Sequence, residues 1–125
     1  MNIYNYLAKL FKSQVINTKN FKDIEIEINL PMSATCNLNC TNCQALCNLN
    51  DKEEFLTLND LKYSLPILKK FFNNQINSFI LFGGEPLLNP QFKEICKYIR
   101  YNFPQAKITI FTNGIILSNW TAENY

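Results

Sequence analysis

The 125-residue chain predicts an α/β fold built on a parallel sheet, and three observations carry that prediction. Ile24, Ile26, Ile28 and Leu30 alternate with Glu25, Glu27 and Asn29, the period-two pattern of a strand with one buried face. The run Phe79-Ile80-Leu81-Phe82 is short and wholly apolar, which predicts a strand covered on both faces. Ile108-Thr109-Ile110-Phe111 repeats the strand signal, and a helical pattern separates each strand from the next.

Taken in order, the chain starts with Ile3, Tyr6, Leu7, Leu10 and Phe11 at helical spacing, followed by a polar connection over residues 13–22. Lys9 and the asparagines interrupt any apolar run there, so the start does not read as a signal peptide. Pro31 is expected to end or bend the pairing of the first strand. A loop then runs to about Phe55. Thr57 with Asp60 resembles a capping box, and Leu61, Leu65, Leu68 and Phe72 form one apolar stripe of the helix that follows. Pro66 should kink or split that helix, and Asn73-Asn74 closes it. After the second strand, Asn89 as N-cap and Pro90 at the first helical position predict a helix start. Its buried face is Phe92, Ile95, Cys96, Ile99 and Phe103, and Pro104 stops it.

Strands alternating with helices imply right-handed crossovers. The unusual motifs, at 36–43, 83–86 and 112–114, each follow a strand directly. In a parallel sheet such loops gather at one rim, where active sites form. With neither repeats nor a low-complexity linker, residues 1–125 read as one domain.

Composition narrows the function. Hydrophobic residues make up 47% and charged residues 18%, ordinary for a globular protein. Twelve Lys and Arg against ten Asp and Glu, net +2, argue against nucleic acid or an anionic membrane as partner. No stretch reaches the roughly 20 apolar residues that span a bilayer, and a cytoplasmic location is expected. The absence of histidine excludes an imidazole base and any His-ligated metal within this chain.

Five cysteines stand at 36, 40, 43, 47 and 96, an odd count with four crowded into one loop, which suits metal ligation better than disulfides. Cys36, Cys40 and Cys43 can supply three thiolates to a [4Fe–4S] cluster and leave the fourth iron open. The alternative is zinc with Cys47 as fourth ligand, although zinc knuckles come as two separated pairs. On the first reading Cys47 is a bystander. Cys96, on an apolar helix face, reads as core.

In Gly83-Gly84-Glu85-Pro86, the glycines let the backbone approach a ligand closely, and Glu85 offers a carboxylate to a cationic amine. The bland reading is a plain turn into the next helix. Thr112-Asn113-Gly114 reads as a turn whose place on the shared rim allows a ligand contact by Thr112 or Asn113. Residues 48–54 read as a solvated loop, and Lys69-Lys70 as a solvated helix face.

Together these motifs resemble the radical S-adenosylmethionine (SAM) enzymes. Carrying the resemblance are CxxxCxxC after the first strand, Phe82-Gly83-Gly84-Glu85-Pro86-Leu87-Leu88 with Pro90 after the second, and Thr112-Asn113-Gly114 after the third. It covers about residues 24–118 and is closest to the branch with peptide-maturing and cofactor-building members. The resemblance implies a parallel-sheet partial (β/α) barrel, truncated here after about three βα units, with residues 1–22 as helix and connection and 23–125 as its first half. It implies a [4Fe–4S] cluster on Cys36, Cys40 and Cys43, with SAM chelating the open iron. Gly83, Gly84 and Glu85 would receive the SAM amino group beside Pro86, Thr112 and Asn113.

Asn42 stands where the family often has an aromatic residue and would contact SAM through its backbone. Reductive cleavage would give methionine and a 5′-deoxyadenosyl radical, with a peptide or protein as the expected substrate. The expected reductant is flavodoxin or ferredoxin. Because the family barrel continues for further βα units, the third strand is expected to present an open edge suited to a complementing chain or self-association. The alternative function is a non-catalytic fragment or an Fe–S or zinc binding module that needs a partner chain.

Overall fold

The computed structural model describes residues 25–50 and 52–119. The helix expected over residues 1–11, its connection through residue 22, and the chain from Trp120 onward lie outside them. Five main elements follow one another: β1 (Ile26–Ser33), α1 (Leu58–Phe71), β2 (Ile76–Gly83), α2 (Phe92–Asn102) and β3 (Lys107–Ile110). The sheet has the order β1-β2-β3 with both pairings parallel, so the α/β parallel architecture is as predicted.

The register sorts the strands' side chains by face. Ile28 pairs with Phe79 and Leu30 with Leu81, while Ile108 and Ile110 continue the same two rows into β3. This face meets Leu61 and Leu65 of α1 and Phe92, Ile95 and Ile99 of α2, all within one buried cluster. Met32, Phe79, Leu81 and Ile95 have no exposure, so the core lies between sheet and helices. On the other face, Asn29 pairs with Ile80 and Ile80 with Thr109. Glu27, Asn29 and Pro31 are exposed there, and Ser78, Ile80, Phe82 and Thr109 are half-buried. The expectation that β2 is covered on both faces is therefore corrected. Its continuous apolar run came from one buried row and one half-open row.

Pro31 does not end β1. The strand continues to Ser33, and the register slips between Pro31 and Ser33. A proline can stay because, among the described residues, β1 is an edge strand and has only one neighbour to bond. Pro66 likewise does not split α1, which is one helix of 14 residues. The proline is exposed, so the carbonyl that loses its partner lies on the solvent side. The capping box forms as expected: Thr57 Oγ1 accepts from Asp60 N, and Thr57 N donates to Asp60 Oδ2 at 3.0 Å. Asn73 and Asn74 close the helix at φ 49° and 65°, with Asn74 N donating to Lys69 O at 2.8 Å.

The start of α2 is also corrected. The helix begins at Phe92 with Gln91 as its N-cap, after a 3₁₀ turn at Pro86–Leu88. Asn89 is buried, and its side-chain amide donates to Met32 O at 2.7 Å and Leu56 O at 2.8 Å. Its carbonyl oxygen accepts from Gln91 N at 2.8 Å. The asparagine is thus a pin between β1, the chain entering α1 and the turn before α2. Lys69 is not simply solvated either. Its Nζ donates to Asn102 O at 3.3 Å, at the C-terminal end of α2, and sits 5.3 Å from the Phe103 ring centroid.

Candidate metal and cofactor site

The cysteine loop is clamped at its base. Ser33 bridges Phe55, Ala34 N donates to Glu54 O at 2.9 Å, and Leu56 N donates to Met32 O at 3.1 Å. Asn89 holds one of the same carbonyls, Met32 O, and also the carbonyl of Leu56. Residues 34–54 therefore leave and return at one point of the sheet rim. Within the loop, a short 3₁₀ turn covers Cys47–Leu49, and residues 48–50 and 52–54 are exposed, as the solvated-loop reading expected.

All five cysteines are free thiols. Cys40 is exposed, while Cys36, Cys43 and Cys47 are half-buried. Cys36 Sγ accepts from Leu38 N at 3.4 Å and from Asn113 Nδ2 at 3.8 Å. The Cys43 thiol is held below its ordinary value chiefly by the backbone N–H of Cys47. The amides of Ala45 and Leu46 and the Cys47 thiol add to that effect. Cys47 is pushed up, first by burial and then by the Cys43 sulfur beside it, with the Cys36 charge contributing. In this conformation no three His, Cys, Asp or Glu side chains among the described residues converge as a ligand set. The donor chemistry nonetheless fits an iron–sulfur cluster: three unoxidised thiols share one loop, and N–H groups aim at two of the sulfurs. Asn42, before the third of them, is exposed.

Gly83 and Gly84 bring the exit of β2 against the start of this loop. Gly84 N donates to Ser33 O at 2.8 Å, and Glu85 N donates to Thr35 O at 2.9 Å. A Cβ on Gly83 would meet Ser33 O at 2.3 Å, and one on Gly84 would meet Thr35 O at 2.0 Å and Cys47 Sγ at 2.8 Å. Gly83 also has φ +132°, which side-chain-bearing residues resist. The close approach made possible by these glycines is thus to the cysteine loop's own backbone.

Glu85 has no exposure. Its Oε1 accepts from Leu87 N at 3.0 Å and Thr112 Oγ1 at 2.8 Å, and Oε2 accepts from Asn113 N at 2.9 Å. Asn113 in turn donates from Nδ2 to Asn37 Oδ1 at 2.8 Å. The three predicted motifs are therefore joined: Gly83–Pro86 grips Thr112 and Asn113, and Asn113 reaches the cysteine loop. Pro86, next to Glu85, is buried as well. Cys96 lies apart on α2, where burial pushes its thiol up to about 11, in keeping with a place in the core.

Sequence reading gave Asn89 only the role of a helix N-cap and singled out neither Asn37 nor Ser33. Ser33 Oγ donates to Thr35 O at 2.9 Å and accepts from Thr35 N at 3.1 Å, shaping the exit of β1. None stands in a motif of its own. Their partners lie across the rim or in the immediate turn, so only the buried setting of Asn89 and Ser33, and the reach of Asn113 to Asn37, reveal them.

Comparison with known proteins adds the decisive observation. The family model described as the radical SAM superfamily matches residues 30–124. The chain belongs to the radical SAM superfamily. A GTP 3′,8-cyclase of Helicobacter pylori is 32% identical over 99 residues, covering 77% of this chain and 30% of the relative. The GTP 3′,8-cyclase of Pasteurella multocida is 30% identical over 89 residues, covering 70% of this chain and 26% of the relative. A 7,8-dihydro-6-hydroxymethylpterin dimethyltransferase of Methanocaldococcus jannaschii is 28% identical over 129 residues, covering 93% of this chain and 24% of the relative. The chain thus spans about a third or less of the length of these relatives. Its open three-stranded parallel sheet is consistent with part of the radical SAM barrel. Membership implies a [4Fe–4S] cluster and SAM, and supports reductive SAM cleavage as the general chemistry. No helix among the described residues is long and apolar enough to cross a membrane.

Proposed function

We propose that this chain, as one domain, forms the cluster-binding and SAM-binding part of a radical SAM enzyme. The bond network that ties Glu85 to Thr112 and Asn113, and Asn113 to Cys36, carries the reading. It brings the residues of all three family motifs to one rim. Cys36, Cys40 and Cys43 hold the cluster. The backbone at Asn42, Gly83 and Gly84 lines the cofactor site beside Pro86, Thr112 and Asn113. Glu85 contributes as a buried brace, because both its oxygens already accept hydrogen bonds from the chain.

When bound, the cluster and SAM supply one-electron cleavage of the sulfonium C–S bond and a 5′-deoxyadenosyl radical. This chain's residues orient the cofactor and shape the rim around it. The electron comes from a reductant of the flavodoxin or ferredoxin class. The half-open sheet face with Ile80, Phe82 and Thr109 faces away from the helices, and among the described residues β3 offers a free edge for further strands or a complementing chain. A cytoplasmic setting suits the exposed thiol at Cys40.

For the substrate, the motif resemblance favours a peptide or protein. A second reading is a bicyclic nitrogen heterocycle, supported by relatives named for GTP and pterin chemistry. Anaerobic reconstitution with iron and sulfide, followed by assay for 5′-deoxyadenosine with each substrate class, tests both levels. A cubane cluster with SAM cleavage stimulated by one class supports the proposal. Tight zinc binding with no cluster overturns it in favour of a zinc module.

A further inference from the structure

We infer that Asn113 is a positioning residue for the cluster, acting through the Cys36 sulfur. This rests on the cluster reading above and adds a role for the Asn113 side chain toward a cluster ligand, beyond its place beside the cofactor site. The orientation of the Asn113 amide is determined by its neighbours. Ile115 N donates to Asn113 Oδ1 at 3.0 Å, so the oxygen is fixed on that side and Nδ2 must face the cysteine loop. There it donates to Asn37 Oδ1 at 2.8 Å and lies 3.8 Å from Cys36 Sγ. The backbone of the same residue is anchored independently, because Asn113 N donates to the buried Glu85 Oε2 at 2.9 Å. The residue is thus preorganised by three bonds that do not involve sulfur, two of them made by its side-chain amide.

Among the described residues, Leu38 N is the other N–H donor to Cys36 Sγ, at 3.4 Å. Leu38 N belongs to the cysteine loop itself. Asn113 comes from the loop after β3, 77 residues away in sequence, and fixes Cys36 relative to the sheet. An N–H···S bond stabilises the more negatively charged, reduced form of a thiolate-bound cluster and raises its potential.

The test is an EPR-monitored redox titration of the full chain, reconstituted anaerobically without SAM, for the wild type, Asn113→Ala and Asn113→Asp. Asn113→Asp keeps the acceptor for Ile115 N and the backbone bond to Glu85 but loses the N–H donor. We expect Asn113→Ala to shift the reduction equilibrium about tenfold toward the oxidised cluster, about 59 mV for a one-electron couple. Asn113→Asp should shift it at least as far, since an added carboxylate also disfavours reduction. Ser118→Ala loosens the same turn, where Ser118 Oγ donates to Ile115 O at 2.8 Å, and should leave the potential within about threefold. A wild-type chain without a cubane signal defeats the cluster reading itself. A wild-type cubane with unchanged potentials in both Asn113 variants overturns this inference alone. So does loss of the cluster in both variants when circular dichroism and unfolding match wild type, because that outcome assigns Asn113 to assembly rather than tuning.

Discussion

Glu85 and Thr112 are joined by a hydrogen bond of 2.8 Å from Thr112 Oγ1 to Glu85 Oε1, linking the exits of β2 and β3 at a point where Glu85 has no exposure. A buried carboxylate of this kind is tolerable because Leu87 N and Asn113 N satisfy it as well. The site is therefore held together by a carboxyl group that solvent does not reach.

Replacing Glu85 should test that brace. Glu85→Ala leaves the Thr112 hydroxyl and the Leu87 and Asn113 amides without their acceptor, and should destabilise the chain by about 3 kcal/mol. Urea unfolding measures the loss. Glu85→Gln, which keeps the shape and one good acceptor, should cost visibly less. Equal stability of Glu85→Ala and wild type would contradict the brace.

Gly84→Ala should be more damaging than a glycine-to-alanine change in an open turn. The new Cβ would stand 2.0 Å from Thr35 O, a backbone atom that cannot move without opening the base of the cysteine loop. A loss of about 2 kcal/mol or more is expected, with reduced iron incorporation on reconstitution. Normal iron content and an unchanged unfolding midpoint would count against this packing.

Asn89→Ala removes the amide that holds Met32 O and Leu56 O, and should cost about 2 kcal/mol. The effect should be local as well. Limited proteolysis should cut within residues 34–54 faster in the variant, because that loop loses its pin. Identical cleavage rates would show that the clamp is held by the backbone bonds alone.

Two groups give opposite pH dependences. Asp60 is lowered from 3.8 by its side-chain bond to Thr57, then by the Thr57 backbone N–H. Its stabilising effect is present above the unfolded value and disappears as pH falls through the lower, folded one. Asp60→Asn should flatten the acid limb of the stability curve. Cys96 is raised from 9.0 to about 11 by burial, so folding favours its protonated thiol. That contribution is full below pH 9 and is lost as pH rises toward about 11, and Cys96→Ala should remove the alkaline limb. In alkylation time courses near neutral pH, Cys96 should react last of the five cysteines, and equal rates would contradict its burial.

Much of this protein is legible in its sequence, for reasons of local physics. Period-two alternation and apolar stripes at helical spacing follow from backbone geometry, so the three strands, both helices and the Thr57–Asp60 capping box could be placed directly. The CxxxCxxC, Gly83–Pro86 and Thr112–Gly114 motifs are contiguous, and their positions after strands determined that they share a rim. What the sequence could not determine is pairing across distance. Pro31 stays in β1 because the strand is at an edge among the described residues. Asn89, whose oxygen still accepts from Gln91 N ahead of α2, is buried with its amide bonded to two carbonyls from elsewhere. Gly83 and Gly84 make room for Ser33 and Thr35, and Glu85 is committed to Thr112 and Asn113. Each of these outcomes is a competition between a local preference and a buried partner that only the folded chain supplies. Burial makes an unpaired polar group costly enough for the partner to win.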